Sequence, residues 1–116
     1  MDNAIEREID ASTHLISMTP IYEIIRLGYA LGIDSSFKVL DLCCGYGEML
    51  RTFSENFGCT GDGVDITKGF IEEGRKRIAD ADLSTKLQLY VDDARKWTTT
   101  GYDIACLLAE PTVFDG

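Results

Sequence analysis

The chain has 116 residues, enough for one domain with a modest hydrophobic core. Its 20 acidic and 11 basic side chains give a formal net charge of −9, which would repel a phosphate-coated partner, so nucleic acid is not expected as a substrate. No apolar run is long enough to cross a bilayer, and the amino terminus is acidic where a secretory signal would be basic and then apolar, so we expect a cytoplasmic protein without membrane contact.

The four cysteines are not spaced like a disulfide framework. Cys43 and Cys44 are adjacent, Cys59 opens a predicted strand and Cys106 lies within another, which favours reduced thiols. The sequence has no CxxC pair and His14 is its single histidine, so no metal site is predicted.

The first well-defined element is a helix that precedes the strands. Thr19 and Pro20 fit the cap and the first position of a helix, and Gly32 is typical of a helix end. The residues expected on its packed face are Ile21, Ile24, Ile25, Gly28 and Leu31.

Strands and helices alternate after this helix. The strands are predicted at 38–42, 59–65, 87–91 and 104–108. Helical spacing connects the first strand to the second and the second to the third, whereas the stretch from Asp92 to Gly101 is predicted as a loop. This order indicates an α/β fold with a parallel sheet and right-handed crossovers, in which a ligand binds at the carboxyl ends of the strands near the switch point.

The segment from Lys38 to Glu48, KVLDLCCGYGE, carries the strongest functional signal. Asp41 lies at the end of an apolar strand, and Gly45 and Gly47 let the backbone pass close to a ligand because no Cβ intervenes. A buried acid in this place needs a polar partner, which favours a nucleotide-type pocket over the alternative of a plain strand-to-helix turn. The segment resembles motif I of the class I S-adenosylmethionine (SAM) dependent methyltransferases.

The resemblance implies a Rossmann-like, three-layer α-β-α fold with a mostly parallel sheet, here of four strands in the order 3-2-1-4, and SAM as the cofactor. It also implies an amino-terminal helical cover segment, 1–36, and a SAM-binding core, 37–116. The family fold has seven strands, so the core is expected to be incomplete. We expect the isolated chain to self-associate through the exposed edge of its fourth strand.

The resemblance assigns the loop after the first strand to cofactor binding, with the residues Asp41, Cys43, Gly45, Tyr46 and Gly47. Family members commonly have glycine where Cys43 stands. A small thiol fits at this point if the backbone there keeps φ negative.

Two further acids follow the next strands. Asp65 matches the family's ribose-binding acid, with Ile66 against the adenine, and the alternative for Asp65 is a helix cap. Asp93 and Ala94 match the adenine-reading position, and the alternative for Asp92 and Asp93 is a pair of solvated turn residues.

The end of the fourth strand resembles the motif IV region of the family, which lies over the sulfonium and faces the substrate. This assigns Leu108 to the cofactor, and Glu110 and Thr112 to the substrate, with His14 as a second substrate-side group. Glu110 and His14 would orient or deprotonate an acceptor, and the alternatives are a solvated loop acid and a structural histidine. No residue is identified as catalytic.

The leading functional hypothesis is a SAM-dependent methyltransferase that acts on a small-molecule acceptor, with this chain as a cofactor-binding portion. The alternative is a non-catalytic Rossmann-like module that binds a nucleotide or has a regulatory role. An NAD-dependent oxidoreductase fits less well because Leu50 stands where the third glycine of GxGxxG is needed.

Overall fold

The computed structural model describes residues 20–107 and confirms the alternation of helices and strands. The elements in chain order are α1 (Ile21–Leu31), β1 (Lys38–Leu42), α2 (Glu48–Phe57), β2 (Thr60–Asp65), α3 (Lys68–Asp80), β3 (Leu87–Val91), a 3₁₀ helix (Ala94–Lys96) and β4 (Ile104–Leu107). In this part of the chain, no helix combines the length and the apolar character needed to cross a bilayer.

The four strands form one parallel sheet in the order β3-β2-β1-β4, as predicted. β1 lies in the interior of the sheet, and its Val39 is in register with Gly61 of β2 and Ile104 of β4. Asp65 at the end of β2 is in register with Val91 at the end of β3. The chain reverses its progress across the sheet between β3 and β4, so the region beyond the carboxyl ends of β1 and β4 is a switch point, where α/β sheets bind ligands.

α2 packs on the face of the sheet to which the glycines of β2 point. A Cβ added at Gly61 would lie 2.9 Å from the side chain of Leu50 in α2, and one at Gly63 would lie 2.7 Å from Leu89 and 2.8 Å from Cys44. These glycines therefore give α2 and the loop before it room to approach β2. The core that results consists of Ile24, Ile33, Val39, Cys44, Met49, Leu50, Phe53, Cys59, Ile71, Ile78, Leu83, Leu87 and Leu89.

The connection from β3 to β4 crosses the opposite face of the sheet, because a right-handed crossover that turns back must use that face. Asp62 alternates with Gly61 and Gly63 along β2 and so lies on this face. Its carboxylate accepts a hydrogen bond of 2.6 Å from the Tyr102 hydroxyl, and Trp97 Nε1 donates to the same Tyr102 oxygen at 3.4 Å. This network anchors the connection that leads into β4.

α1 packs against α2 along a narrow strip. Ile24 and Gly28 are buried, and a Cβ at Gly28 would collide with the ring of Phe57. Ile21 and Leu31, which were predicted on the same packed face, are exposed. The prediction was too broad because α1 is covered mainly by one neighbouring helix, which buries only the strip that it touches.

The prediction for α1 was wrong at its start and correct at its end. Pro20 is the cap residue and not the first helical residue, and its carbonyl accepts hydrogen bonds from the N–H groups of Glu23 and Ile24. Gly32 ends the helix as predicted, with φ 73°. Thr19 lies outside the described residues. The division into a cover segment, 1–36, and a core, 37–116, stays a prediction.

Candidate functional site

The loop between β1 and α2 takes positive φ at every second residue. The values are 63° at Cys43, 58° at Gly45 and 80° at Gly47. The condition stated for a small thiol to fit at Cys43, a negative φ, is therefore not met. The reason lies in the loop itself, which turns tightly enough for the Gly47 N–H to donate to the Cys44 carbonyl at 2.9 Å. Cys43 thus places a Cβ in a left-handed conformation that costs roughly 1–2 kcal/mol relative to glycine.

Asp41 is a buried carboxyl group below this loop, with 3% of its surface exposed. None of the residues 20–107 donates a hydrogen bond to it. Burial, and then the neighbouring charge of Asp65, raise the pKa of Asp41 well above its usual range. Burial and the Asp41 charge also raise the pKa of the Cys106 thiol to about 11. The surroundings of Asp41 therefore lack a positive charge among the described residues.

The Asp65 carboxylate links the loop after β1 to the residue before α3. Its Oδ2 accepts a hydrogen bond of 2.9 Å from the Gly45 N–H, and its Oδ1 accepts one of 2.9 Å from the Thr67 N–H. The side chain is buried, with 7% of the residue exposed. Each carboxylate oxygen has a second lone pair, so Asp65 can accept further donors from a ligand.

The bond to the Thr67 N–H also bears on the alternative reading of Asp65. Thr67 is the residue before α3, but its own side chain makes no capping hydrogen bond. Asp65 accepts the backbone N–H of this cap residue. Asp65 therefore makes a local bond at the start of α3 in addition to its bond with the loop, and the sequence left a helix cap open as the alternative for Asp65.

Asp93 follows β3 at the same edge of the sheet. The preceding residue, Asp92, donates its backbone N–H to the Asp65 carbonyl at 3.1 Å. The Asp93 carboxylate accepts the Arg95 N–H at 2.9 Å and binds the Arg95 guanidinium at 3.1–3.2 Å. These bonds hold the pKa of Asp93 below its ordinary value, so this carboxylate is ionised and only in part open to a ligand. Ala94 is buried in the 3₁₀ helix that Asp93 caps.

Two exposed apolar residues lie next to these acids in the chain or the sheet. Ile66 directly follows Asp65 and is 70% exposed, and Val91, in register with Asp65 at the end of β3, is also exposed. An exposed isoleucine beside a buried carboxylate provides apolar surface for an aromatic base. This position agrees with the role predicted for Ile66, which itself stays a prediction.

The ring of Tyr46 points to α3. It makes an edge contact with Phe70 at 5.1 Å between centroids, and the Arg77 guanidinium lies 4.5 Å from its centroid. Tyr46 was predicted to bind the cofactor. In the structure its ring packs against α3, so only the backbone of Tyr46 remains available for that role. Gly74 of α3 permits this contact, because a Cβ there would lie 2.7 Å from the Tyr46 carbonyl.

The structure brings Asp41, Asp65 and the loop glycines together and sets Asp93 at the same edge. The remaining predicted site residues, His14, Leu108, Glu110 and Thr112, lie outside the described residues. β4 ends at Leu107, which is in register with Leu42 at the end of β1. Sequence reasoning missed Arg95 and Arg77 as partners of the site. Arg95 is only two residues from Asp93, whereas Arg77 is separated from Tyr46 by α2 and β2.

A family model for a methyltransferase domain matches residues 39–114, which is more than half of the chain. The chain belongs to this methyltransferase domain family. The resemblance drawn from motif I is therefore confirmed at the level of the family.

Three similar proteins illustrate the match. The uncharacterized protein YjhP of Escherichia coli is 32% identical over 68 residues, which cover 59% of this chain and 27% of YjhP. The ubiquinone/menaquinone biosynthesis C-methyltransferase UbiE of Pseudomonas aeruginosa is 34% identical over 67 residues, 56% of this chain and 26% of UbiE. The crystal structure of a SAM-dependent methyltransferase from Geobacter sulfurreducens in complex with S-adenosylhomocysteine has a TM-score of 0.70 and 26% identity, over 74% of this chain and 35% of that one. This chain thus spans between 26% and 35% of the length of these proteins.

Proposed function

We propose that this chain binds SAM and serves the transfer of its methyl group to a small-molecule acceptor, as the cofactor-binding portion of a methyltransferase. The observation that supports this most is the pair of buried carboxyl groups, Asp41 and Asp65, below a glycine loop and without a cation beside Asp41 in the described part of the chain. A buried carboxyl group with no cation beside it is costly to ionise, so it points to a ligand that supplies positive charge or hydrogen-bond donors.

The residues at this edge fit the parts of SAM one by one. Asp41 would face the ammonium group, and the open lone pairs of Asp65 would accept the ribose hydroxyls. Ile66 would lie against the adenine, with Asp93 accepting from its amino group. Bound SAM supplies an electrophilic methyl group on its sulfonium. The chain's own contribution is to bind and orient the nucleoside, and this positioning lowers the entropic part of the barrier.

A small-molecule acceptor is favoured over nucleic acid by charge. With a net charge of −9, the chain has no overall attraction for a polyanion. The name of the relative UbiE places that protein in quinone biosynthesis, which agrees with a small acceptor. We also propose a cytoplasmic location, in keeping with Cys44, Cys59 and Cys106, which form no disulfide in the described part of the chain.

A non-catalytic nucleotide-binding module is the second candidate. Two features favour it: Cys43 carries a side chain at a loop position with φ 63°, and Asp93 is already bound by Arg95. Both reduce the room for a cofactor. Binding of SAM without methyl transfer to any acceptor, RNA included, would support this candidate over the enzyme.

Calorimetric titration of the chain with SAM, S-adenosylhomocysteine and NADH tests the proposal. We expect the first two to bind and NADH to fail to compete. Replacing Asp65 by Asn should weaken binding by about 1.5–3 kcal/mol, the scale of charge-assisted hydrogen bonds. The matched control is Asp62→Asn, because Asp62 is a buried acid of the same strand on the opposite face of the sheet. Equal losses in both variants, or tighter binding of NADH, would contradict the proposed site.

A further inference from the structure

The described groups that face Asp41 from the surrounding elements are all acidic or neutral. Cys106 of β4 is in register with Asp41, Asp65 lies two residues beyond Gly63, the partner of Asp41 in β2, and Cys44 lies in the loop that follows β1. The pKa of each thiol is raised by burial and by Asp41, so both thiols are neutral near pH 7. Of Asp41, Asp65, Cys44 and Cys106, the two carboxyl groups are therefore the ones that can carry charge near pH 7.

The two carboxyl groups differ in the hydrogen bonds that support their ionised form. Asp65 accepts the N–H groups of Gly45 and Thr67. Asp41 accepts none from residues 20–107. When two buried carboxyl groups are close together, the proton stays on the one whose charge is less well stabilised. In this pair that group is Asp41.

We propose that Asp41 holds a proton near neutral pH while the site is empty and releases it to solvent when the cofactor's ammonium group binds beside it. This inference rests on the proposed function, because SAM and S-adenosylhomocysteine are the ligands that carry this ammonium group. No bond to carbon forms or breaks, and no electron is transferred. The proton leaves, the carboxylate remains, and the ligand's positive charge compensates it.

The consequence is a pH-dependent affinity with a defined sign. Below the pH at which Asp41 ionises in the empty site, binding must displace one proton, so affinity rises with pH by up to about tenfold per pH unit. Above that pH the displaced proton is already gone and the dependence disappears. A site in which Asp41 is ionised from the start would show no such rise.

Calorimetry in two buffers of different ionisation enthalpy, phosphate and Tris, measures the proton release directly. Titration with S-adenosylhomocysteine at pH 7 should release close to one proton per ligand bound in the wild-type chain. Asp41→Asn should release almost none, because the amide cannot ionise. Asp62→Asn, altered on the opposite face of the sheet, should release as much as the wild type.

The outcomes separate this inference from the function on which it rests. Binding without proton release in the wild type overturns the inference and leaves SAM binding intact. Proton release that persists in Asp41→Asn also overturns it, because another group is then responsible. Absence of binding to either SAM or S-adenosylhomocysteine overturns both proposals. If Asp41→Asn fails to fold, the wild-type titration in the two buffers still decides.

Discussion

Among single residues, Cys43 is the position where side chain and backbone conflict most. Its φ of 63° suits glycine, and the strain of a Cβ there costs roughly 1–2 kcal/mol. We predict that Cys43→Gly is more stable than Cys43→Ala by about 1 kcal/mol. Both variants lack the sulfur, so denaturant unfolding of the pair isolates the effect of the Cβ. A more stable alanine variant would mean that the loop does not take this conformation.

Asp41 gives a second prediction at this scale, on stability and pH. Its pKa is higher in the folded chain than the unfolded value of about 3.9, so its favourable contribution is complete below that value and is lost as pH rises through the folded pKa. Asn cannot ionise. The stability of Asp41→Asn relative to the wild type should therefore increase between pH 5 and pH 8 in urea unfolding. A difference that stays constant over this range would show that Asp41 is already ionised in the folded chain at pH 5, which would contradict the raised pKa.

At the scale of elements, the contact of α3 with the loop depends on Gly74. A Cβ at this position would lie 2.6 Å from Leu89 and 2.7 Å from the Tyr46 carbonyl, so Gly74→Ala should destabilise the chain by about 1–3 kcal/mol. Gly69 is the matched control, because it lies in the same helix with open space around its Cα. Gly69→Ala should stabilise the chain by up to about 1 kcal/mol through helix propensity. The midpoint temperature of thermal unfolding is measured for both variants. Equal shifts would contradict the packing described for α3.

β4 is an edge strand of the described sheet. Among the described strands, β4 pairs with β1 alone, and Ala105 and Leu107 are exposed. We expect the isolated chain to form dimers or larger species through this edge, and Ala105→Lys to shift it toward the monomer, since lysine on an edge strand opposes pairing. Size-exclusion chromatography with light scattering measures the mass. A wild-type monomer at high concentration would refute the expectation.

For the whole molecule, the sequence predicted what depends on local periodicity and on crossover handedness. The spacing of Met49, Leu50 and Phe53 predicted α2, and the alternation of strands and helices predicted a parallel sheet, whereas the strand order came from the family resemblance. Positive φ at Cys43 could not be read from the residue type, because cysteine rarely adopts it. The bond between Asp62 and Tyr102 joins residues 40 apart in sequence, so it depends on a strand pairing that no local pattern encodes.

The contrast between local patterns and long-range contacts also explains which parts of the candidate site could be predicted. Asp41 and Asp65 could be found because each ends a strand, and parallel strands bring such ends to one edge. The capture of Asp93 by Arg95 and of the Tyr46 ring by α3 could not, because both depend on rotamers that tertiary packing selects. Strand ends are thus predictable from pattern, whereas the availability of their side chains is not.

A crystal structure of the chain with bound S-adenosylhomocysteine would show where the nucleoside lies relative to the two carboxyl groups. We expect ribose hydroxyls within about 2.6–3.2 Å of the Asp65 carboxylate, the ammonium group beside Asp41 and the adenine against Ile66. A nucleoside bound away from the carboxyl ends of β1 and β2, with Asp65 still bonded only to Gly45 and Thr67, would contradict the proposed site.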